Sequence, residues 1–476
     1  MNAHQELTGL FLGAGASYEI GMPLVPGLTE EICNWLTLEK LRALNVNWRS
    51  LGRGYQDRVL DDFISVLERP DQHYESLLGY LEVQYTRSSP DSQEYHGLYS
   101  WLVDLVYHLL YWRHINNADF IKRNSAYYDG ISAFADSNRP LWVFSLNHDV
   151  IVECLCLKHG ISLNSGFGSE VVRLPRRNKQ GRIIGELQAE VLSGEHLESS
   201  GMPFLTHGVR GVNLLKIHGA LDVFTFRDGK DLLKLLPVED NIDGPLEALR
   251  SANQELVYRP DVPIRASNEI AYADRAGELQ FLRRSLLAGA FKFSSRHTQV
   301  LPTQLLQHFR SYINYVSRLV CIGYGFSDEH INRIMREWLE FDRDRQLEIV
   351  DPSVRDVPNP FLHIAPQVTL QKYAATDYLD KQAGIVRSRD AINHKRFVSL
   401  LRQNNQETMS DFLQFGRETQ LGKLSEVIDS LSMRNGNVDL EALGMPLEEF
   451  VQREARRFSA PDELIDAFLN SRERAG

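Results

Sequence analysis

Polar residues that could transfer a proton or bind a sugar follow two short apolar runs of the chain. His218 comes after the run Val212–Ile217 and before a glycine. An imidazole there can be exposed to a ligand and can act as a general base near neutral pH. Asn147 and Asp149 follow the run Leu141–Phe144. An asparagine could hydrogen-bond a sugar hydroxyl or a water, and an aspartate could hold the loop. These three residues form the candidate catalytic set.

Each candidate also has an ordinary structural explanation. Asn147 and Asp149 come just before a helix predicted over Val150 to Leu157, and Asn and Asp are favoured helix N-caps. We expect the capping role to hold for one of the two. Most of the 15 histidines are expected to be buried structural residues, but the position of His218 at a strand end distinguishes it.

Two glycine-containing loops and one aspartate follow the other apolar runs. Glycines allow backbone amides to approach a pyrophosphate closely, and a following helix start favours anions. Many glycines after a strand serve only the turn, and Ser327-Asp328 also suits an N-cap with an acidic first turn. The residues predicted to bind a nucleotide are Gly13, Ala14, Gly15, Ala16, Ser17, Gly323, Ser327, Asp328 and Asp351.

The elements that must position these residues are short buried strands. Five apolar runs end in glycine or polar residues, as strands of a parallel sheet do where ligands bind at their carboxyl ends: Leu10–Leu12, Leu141–Phe144, Val212–Ile217, Leu319–Ile322 and Leu347–Val350. Apolar residues at helical spacing predict a helical insertion at about residues 29–136. The sequence therefore predicts an α/β fold with a Rossmann-like parallel sheet and a large helical insertion.

Residues 1–375 are expected to form the nucleotide-binding domain and residues 376–476 a helical C-terminal region. Beyond about Thr376 the strands are expected to cease. Amphipathic helices are predicted at Leu421–Leu431 and Leu447–Phe458, with a turn at Asn435-Gly436-Asn437 between them.

Composition limits the class of protein. The chain has 476 residues, 43% of them hydrophobic and 24% charged, with a net charge of -11, so direct binding to nucleic acid is not expected. The basic segment 173–182 has no interleaved aromatic residues and is predicted to be a solvated hairpin loop.

Four cysteines match neither a disulfide framework nor zinc knuckles. With neither a signal peptide nor a long apolar span in view, we expect a cytoplasmic protein without membrane contact.

In combination, the motifs resemble a known family. Gly13-Ala14-Gly15-Ala16-Ser17, Ser145-Leu146-Asn147-His148-Asp149 and Lys216-Ile217-His218-Gly219 resemble the glycine loop, the Asn-x-Asp motif and the His-Gly motif of sirtuins, in the same order. The resemblance covers roughly Leu7 to Pro352, interrupted by the insertion. It implies a sheet of sirtuin type, NAD as substrate, His218 as catalytic base, Asn147 on the ribose and water, and the glycine loop on the diphosphate.

The chain departs from the sirtuin deacylases in two places. Those enzymes follow the glycine loop with Asp-Phe-Arg, where this chain has Gly21-Met22-Pro23-Leu24-Val25-Pro26-Gly27. They also carry a four-cysteine zinc module after the His-Gly motif, but this sequence has no cysteine from Gly219 to Val320. No metal is therefore expected.

The pattern is more similar to the sirtuin-like effectors of bacterial antiphage defence, also through Gly325-Phe326-Ser327-Asp328. This resemblance implies an NAD glycohydrolase that stays inactive until triggered. It also implies a homo-oligomer and a partner such as a HerA-type ATPase, an Argonaute-like protein or a phage component. Two alternatives remain open, namely an NAD-dependent protein-lysine deacylase and a non-enzymatic module that senses NAD or ADP-ribose.

Overall fold

The computed structural model describes most of the chain. The described residues are 7–69, 73–168, 170–198, 201–227, 229–256, 269–286, 303–403, 410–416, 418–419, 433–434, 437–438 and 461–475. The chain divides into two compact units, Met1–Gly384 and Ile385–Gly476.

The strands of the first unit form two sheets. In chain order they are β1 Thr8–Leu12, β2 Leu141–Ser145, β3 Leu163–Asn164, β4 Glu170–Arg177, β5 Ile183–Leu192, β6 Val212–Lys216, β7 Val223–Phe226, β8 Asp231–Leu235, β9 Glu269–Ala273, β10 Leu279–Arg284, β11 Arg318–Ile322, β12 Gln346–Val350 and β13 Val368–Gln371. The larger sheet is entirely parallel, in the order β13-β12-β11-β1-β2-β6-β3. This arrangement confirms the predicted Rossmann-like parallel sheet, whose five predicted strands are all present.

The strand order of the parallel sheet reverses next to β1. On one side of β1 lie β2, β6 and, at the edge, the short β3; the later strands β11, β12 and β13 lie on the other side. Leu10 of β1 therefore lies opposite Val143 in one neighbouring strand and Val320 in the other. Ligands of open parallel sheets bind in the crevice at such a reversal, outside the carboxyl ends of the strands. The first glycine loop lies at this point.

Helices cover the parallel sheet and form the insertion. The α-helices of the first unit are α1 Val25–Trp35, α2 Leu38–Ser50, α3 Asp57–Leu67, α4 Tyr74–Thr86, α5 Ser92–Asn116, α6 Ala118–Asn124, α7 Ile131–Ser137, α8 Ile151–Lys158, α9 Gly194–Glu198, α10 Gly244–Gln254, α11 Gln304–Tyr312, α12 Glu329–Phe341 and α13 Ala375–Ala383. Shorter 3-10 helices span Ala14–Ser17, Ser125–Tyr128, Ile313–Tyr315 and Asn359–Gln367.

The insertion between β1 and β2 is helical, as predicted. Over the described residues it consists of α1 to α7 and one 3-10 helix, and it begins at Val25, slightly before the predicted residue 29. Its longest helix, α5, buries residues at the spacing of one helix face, including Leu98, Leu102, Leu105 and Leu109. The insertion shares one apolar core with the β1 and β2 strands.

The second sheet was not predicted. It is antiparallel, in the order β4-β5-β8-β7-β10-β9. The prediction of a solvated loop over 173–182 is wrong for its first half, because residues 173–177 belong to β4 and only 178–182 form the turn into β5. Arg176 pairs with Glu255, and Arg177 Nη2 donates to the Asp274 carbonyl oxygen at 2.9 Å. These cations are therefore engaged within the protein.

The second unit contains two long helices and a pair of strands. α14 (Arg389–Gln403) packs against the helix Pro461–Ala475 through Phe397 and Phe468. The strands β14 (Met433–Arg434) and β15 (Asn437–Val438) pair antiparallel, so the expectation that strands cease beyond Thr376 is wrong. The helices predicted at 421–431 and 447–458 lie outside the described residues, as do residues 435–436 of the predicted turn. In the described part of the chain, no helix is long and apolar enough to cross a membrane.

Candidate functional site

The loops that follow β1, β2 and β6 are joined by backbone hydrogen bonds at the carboxyl edge of the parallel sheet. The Leu146 amide donates to the Leu12 carbonyl oxygen at 3.0 Å, and the Ile217 amide donates to the Ser145 carbonyl oxygen at 2.9 Å. Parallel strands present their carboxyl ends at the same edge, so the three motifs predicted from the sequence lie side by side.

The first glycine loop packs directly on the loop that follows β11. The Gly13 amide donates to the Ile322 carbonyl oxygen at 3.0 Å, and the Gly15 amide donates to the Gly323 carbonyl oxygen at 2.9 Å. A Cβ atom on Gly15 would lie 2.7 Å from Gly323 Cα, and Gly323 itself has a φ of +63°. The glycines therefore permit close contact between the two loops. The amides of Gly13 and Gly15 already have protein acceptors in this structure.

Asn147 ties the Asn-x-Asp loop to the glycine loop. Its Nδ2 donates to the Gly13 carbonyl oxygen at 2.9 Å and to Ser17 Oγ at 3.1 Å. Asn147 is partly exposed, whereas Ser17 is buried in the 3-10 helix that follows Gly13. Two of the predicted site segments therefore meet through this one side chain. Ala14 and Ala16 lie in the same short helix.

Asp149 lies one residue before the N-cap of α8, which is Val150, so neither Asn147 nor Asp149 is the N-cap that was expected. The Oδ1 of Asp149 accepts from the Ile151 amide at 3.1 Å, at the first residue of α8, and its side chain is buried. The Asp149 carbonyl oxygen accepts from the ammonium of Lys216. Asp149 thus fixes the start of α8 and joins the loop to the end of β6.

His218 is buried and faces a carboxylate. Its side chain is 5% exposed, and its Nε2 lies 3.2 Å from Oδ2 of Asp328. The other carboxylate oxygen of Asp328 accepts from the amides of His330 at 3.0 Å and Ile331 at 3.3 Å, which caps α12. The cap holds the carboxylate in place while its second oxygen faces the imidazole. Asp328, predicted as a nucleotide contact, therefore pairs with the candidate base.

The loop that carries Asp328 has an unusual backbone. Phe326 has a φ of 55°, in the left-handed region that bulky residues rarely occupy. The Asn332 side chain donates to the Phe326 carbonyl oxygen at 2.8 Å, and the Phe326 ring packs near Phe361. Residues held in such conformations cluster at functional sites. This strained residue precedes the exposed Ser327.

Asp351 lies at the end of β12, beyond the glycine loops. Its Oδ1 accepts from the Ser353 amide at 2.7 Å and from Ser353 Oγ at 2.5 Å, so its carboxylate is engaged in its own turn. The preceding residue, Val350, accepts from the Gly323 amide at 3.0 Å. Asp351 therefore lies at the same sheet edge, but its described contacts do not join it to Asn147 or His218.

A buried group of charges near the His-Gly motif was not predicted from the sequence. Glu153 Oε1 lies 3.0 Å from Lys216 Nζ and 2.9 Å from Lys234 Nζ, and Lys234 also pairs with Asp222. Burial alone would raise the pKa of Glu153, but the two lysines outweigh it and lower the pKa to about 2. The signal in the sequence is a charged residue among mostly apolar neighbours, Glu153 in the run 151–157 and Lys216 in the run 214–217.

A cavity of about 380 Å³, including open solvent, lies beside this charged group. Its walls include Lys216, Gly219 and Lys234 together with the apolar side chains of Phe167 and Met202. The His-Gly segment therefore borders a mostly apolar space. Within the described ranges, no group of three or more His, Cys, Asp or Glu side chains is placed to hold a metal ion.

In comparisons with known proteins, this chain matches solved structures but neither a protein-family model nor a curated protein sequence. One similar structure was determined for the mechanism and regulation of Sir2 enzymes; it is 11% identical, covers 80% of this chain and 92% of its own, and has a TM-score of 0.32. A second, on sirtuin substrate affinity, is 9% identical, covers 79% of this chain and 92% of its own, and has a TM-score of 0.31. Because the sequence identities and TM-scores are this low, any function of the site has to be argued from the residues of this chain.

Proposed function

We propose that this protein is an NAD glycohydrolase that cleaves NAD to nicotinamide and ADP-ribose. The observation that carries the proposal is the meeting of three motifs at the reversal of strand order. There Asn147 bonds the glycine loop at Gly13, while His218 faces Asp328 on the adjacent loop. The resemblance of these motifs to those of sirtuins supports NAD as the nucleotide.

In the proposed reaction, the bond between the nicotinamide nitrogen and C1 of the ribose breaks. Nicotinamide leaves with the bonding electron pair, which neutralises its positively charged ring, and the ribose carbon becomes an oxocarbenium-like centre. Water then attacks that carbon and gives up one proton. His218 takes this proton or one from a ribose hydroxyl, and Asn147 orients the ribose and the water. The products are nicotinamide, ADP-ribose and a proton.

Asp328 supports His218 as a base in this scheme. A carboxylate 3.2 Å from the imidazole stabilises the cationic form that is produced when the ring takes a proton. Asp149 acts indirectly, because its hydrogen bond to the Ile151 amide holds the start of α8 and therefore the loop on which Asn147 lies.

The test is nicotinamide release from NAD by the wild-type protein, His218→Ala and Asn147→Ala. His207→Ala serves as the control, because that histidine is exposed and away from the motifs. We expect release by the wild type and the control and at least a ~100-fold lower rate in the other two variants. Full activity in both site variants would make the assignment wrong. Release that requires an acylated peptide would favour a deacylase, and tight NAD binding without turnover would favour a sensing module.

An enzyme that depletes NAD must be held inactive in a healthy cell, so we further propose a regulated effector of antiphage defence. The resemblance suggests a homo-oligomer that acts with a protein partner, such as a HerA-type ATPase, an Argonaute-like protein or a phage trigger. The NAD level of an expressing host, followed before and after phage infection, tests the role. A strict monomer at micromolar concentration by size-exclusion chromatography would count against the oligomer.

A further inference from the structure

The helical insertion forms one hydrogen bond with each of the three motif loops, which follow β1, β2 and β6. The first involves the 3-10 helix Ser125–Tyr128. The hydroxyl of Tyr128 donates to the carbonyl oxygen of Ala16 at 2.8 Å, and the Tyr128 side chain is buried. Ala16 belongs to the glycine loop, whose amides and carbonyls also bond Asn147 and Gly323. The insertion therefore bonds this loop in addition to Asn147 and Gly323.

The second bond joins α5 to the Asn-x-Asp loop. His114 is fully buried, its Nδ1 lies 2.7 Å from the Leu110 carbonyl oxygen, and its Nε2 lies 3.4 Å from the Val150 amide. A carbonyl can only accept, so Nδ1 carries the proton and Nε2 accepts from the Val150 amide. Val150 follows Asp149 directly and precedes α8. The neutral imidazole thus supports the backbone of the loop that carries Asn147.

The third bond joins α5 to the segment after the His-Gly motif. The hydroxyl of Tyr107 donates to the Leu221 carbonyl oxygen at 3.1 Å, and the Leu221 amide donates to the His148 carbonyl oxygen at 2.9 Å. Tyr107 is also fully buried. Tyr107 and His114 are seven residues apart, which places them on the same face of the helix. One face of α5 therefore bonds two of the three loops.

We propose that Tyr107, His114 and Tyr128 are positioning residues, through which the helical insertion holds the three motif loops in the arrangement needed for catalysis. The expected change in reaction rate rests on the proposed NAD cleavage. The expected change in loop mobility rests only on the hydrogen bonds described above. None of the three residues acts on the substrate in this proposal. Because α5 bonds two of the loops, a change on this helix is expected to disturb both of them.

The experiment compares phenylalanine variants that remove one hydrogen-bonding group while keeping an aromatic ring. Tyr128→Phe and Tyr107→Phe remove the hydroxyls that reach the loops, and His114→Phe removes both ring nitrogens. Tyr111→Phe is the matched control, because Tyr111 lies on the same helix, is buried, and has its hydroxyl 3.3 Å from Gln254 Nε2 rather than at a motif loop. His114→Gln keeps an acceptor for the Val150 amide and is expected to restore part of the loss.

Two measurements are made on the full-length chain. In nicotinamide release, we expect kcat to fall about tenfold in Tyr128→Phe and His114→Phe with a smaller change in KM, and to change by less than about twofold in Tyr111→Phe. In amide hydrogen exchange, peptides that cover 13–22 in Tyr128→Phe and 147–157 in His114→Phe should exchange faster than in the control.

The outcomes separate this inference from the proposed function. If the wild type releases no nicotinamide, the NADase proposal fails, while faster exchange confined to the named loops still supports the positioning role. Exchange that matches the control in both variants overturns the positioning role, whatever the activity. Equal losses of kcat in Tyr111→Phe and Tyr128→Phe also overturn it, because the effect would then belong to core packing in general.

Discussion

At the scale of single residues, the site depends on how two polar side chains are held. Asn147 and His218 could be selected as candidates from the sequence because each follows a short buried strand. The carboxylate facing His218 could not, because Asp328 lies far along the chain and reaches the imidazole only when β11 is placed beside β1. The helix start at this point was predicted, with Ser327 as the N-cap, but the N-cap is Asp328. The pairing of Asp328 with His218 is a property of the fold.

We predict that Asp328→Asn lowers nicotinamide release about 10-fold to 100-fold without loss of the fold. The asparagine carbonyl oxygen can still accept from the His330 and Ile331 amides, so the cap of α12 is retained, while the negative charge facing His218 is removed. Steady-state kinetics and thermal unfolding measure the two effects.

The control is Asp342→Asn, at the other end of α12, where the carboxylate accepts from the Asp344 amide and is exposed. This variant is expected to keep the wild-type rate within about twofold. If Asp328→Asn also kept the wild-type rate, the proposed role of Asp328 would be refuted.

At the scale of elements, the two glycine loops act as one unit. Gly323 has a φ of +63°, and a Cβ atom there would lie 2.4 Å from the backbone of Gly15. The sequence suggested that Gly15 approaches a diphosphate and that Gly323 contacts the other half of the nucleotide. The structure adds that they approach each other, a contact between two distant segments that no local pattern contains.

We predict that Gly323→Ala lowers the free energy of unfolding by about 2–4 kcal/mol and reduces NAD cleavage, since alanine adds backbone strain and displaces the glycine loop. Urea unfolding and nicotinamide release measure these losses. Gly181→Ala is the matched control, because Gly181 has a φ of +76° but open space around it. It should cost only about 1 kcal/mol and leave activity unchanged. Equal costs for the two variants would contradict the loop contact.

The elements that could be predicted are those with a local signature. The strands β1, β2, β6, β11 and β12 are short, buried and followed by glycine or polar residues, which marks strands of a parallel sheet. The antiparallel sheet was missed because its strands mix exposed charges with apolar residues; in β4, for instance, Val171 is exposed beside Glu170. Such strands are specified by pairing with β5 rather than by their own pattern.

At the scale of the whole molecule, the insertion and the sheet share one core, and polar groups are buried inside it. Lys216, Lys234, Glu153 and Asp222 pair with one another near the His-Gly motif. Buried ion pairs are weak contributors to net stability, but the loss of one partner is costly, so they favour a single arrangement of the elements that carry them. Here those elements are α8, β6 and β8, and the segment that leads into β7.

Four histidines whose pKa values are lowered make stability dependent on pH, and only His114 among them is fully buried. Burial is the largest cause that lowers the pKa of His114, ahead of the opposing effect of Asp149, and burial likewise lowers the pKa values of His96, His108 and His159. Below about pH 6.5 the unfolded chain therefore binds more protons than the folded one. The stability contributed by the neutral imidazoles is complete above that pH and is lost as the pH falls toward the lowered values.

We predict that the free energy of unfolding of the wild type decreases as the pH falls from about 7 to 5, and that His114→Phe shows a shallower decrease. The difference between the two slopes should approach the effect of one proton, about 1.4 kcal/mol per pH unit, because His114 is fully buried. Urea unfolding at several pH values measures it, with the exposed His207→Gln as a control that keeps the wild-type slope. Parallel curves for the wild type and His114→Phe would mean that His114 is not held neutral, and the hydrogen bond from the Val150 amide to its Nε2 would then have to be abandoned.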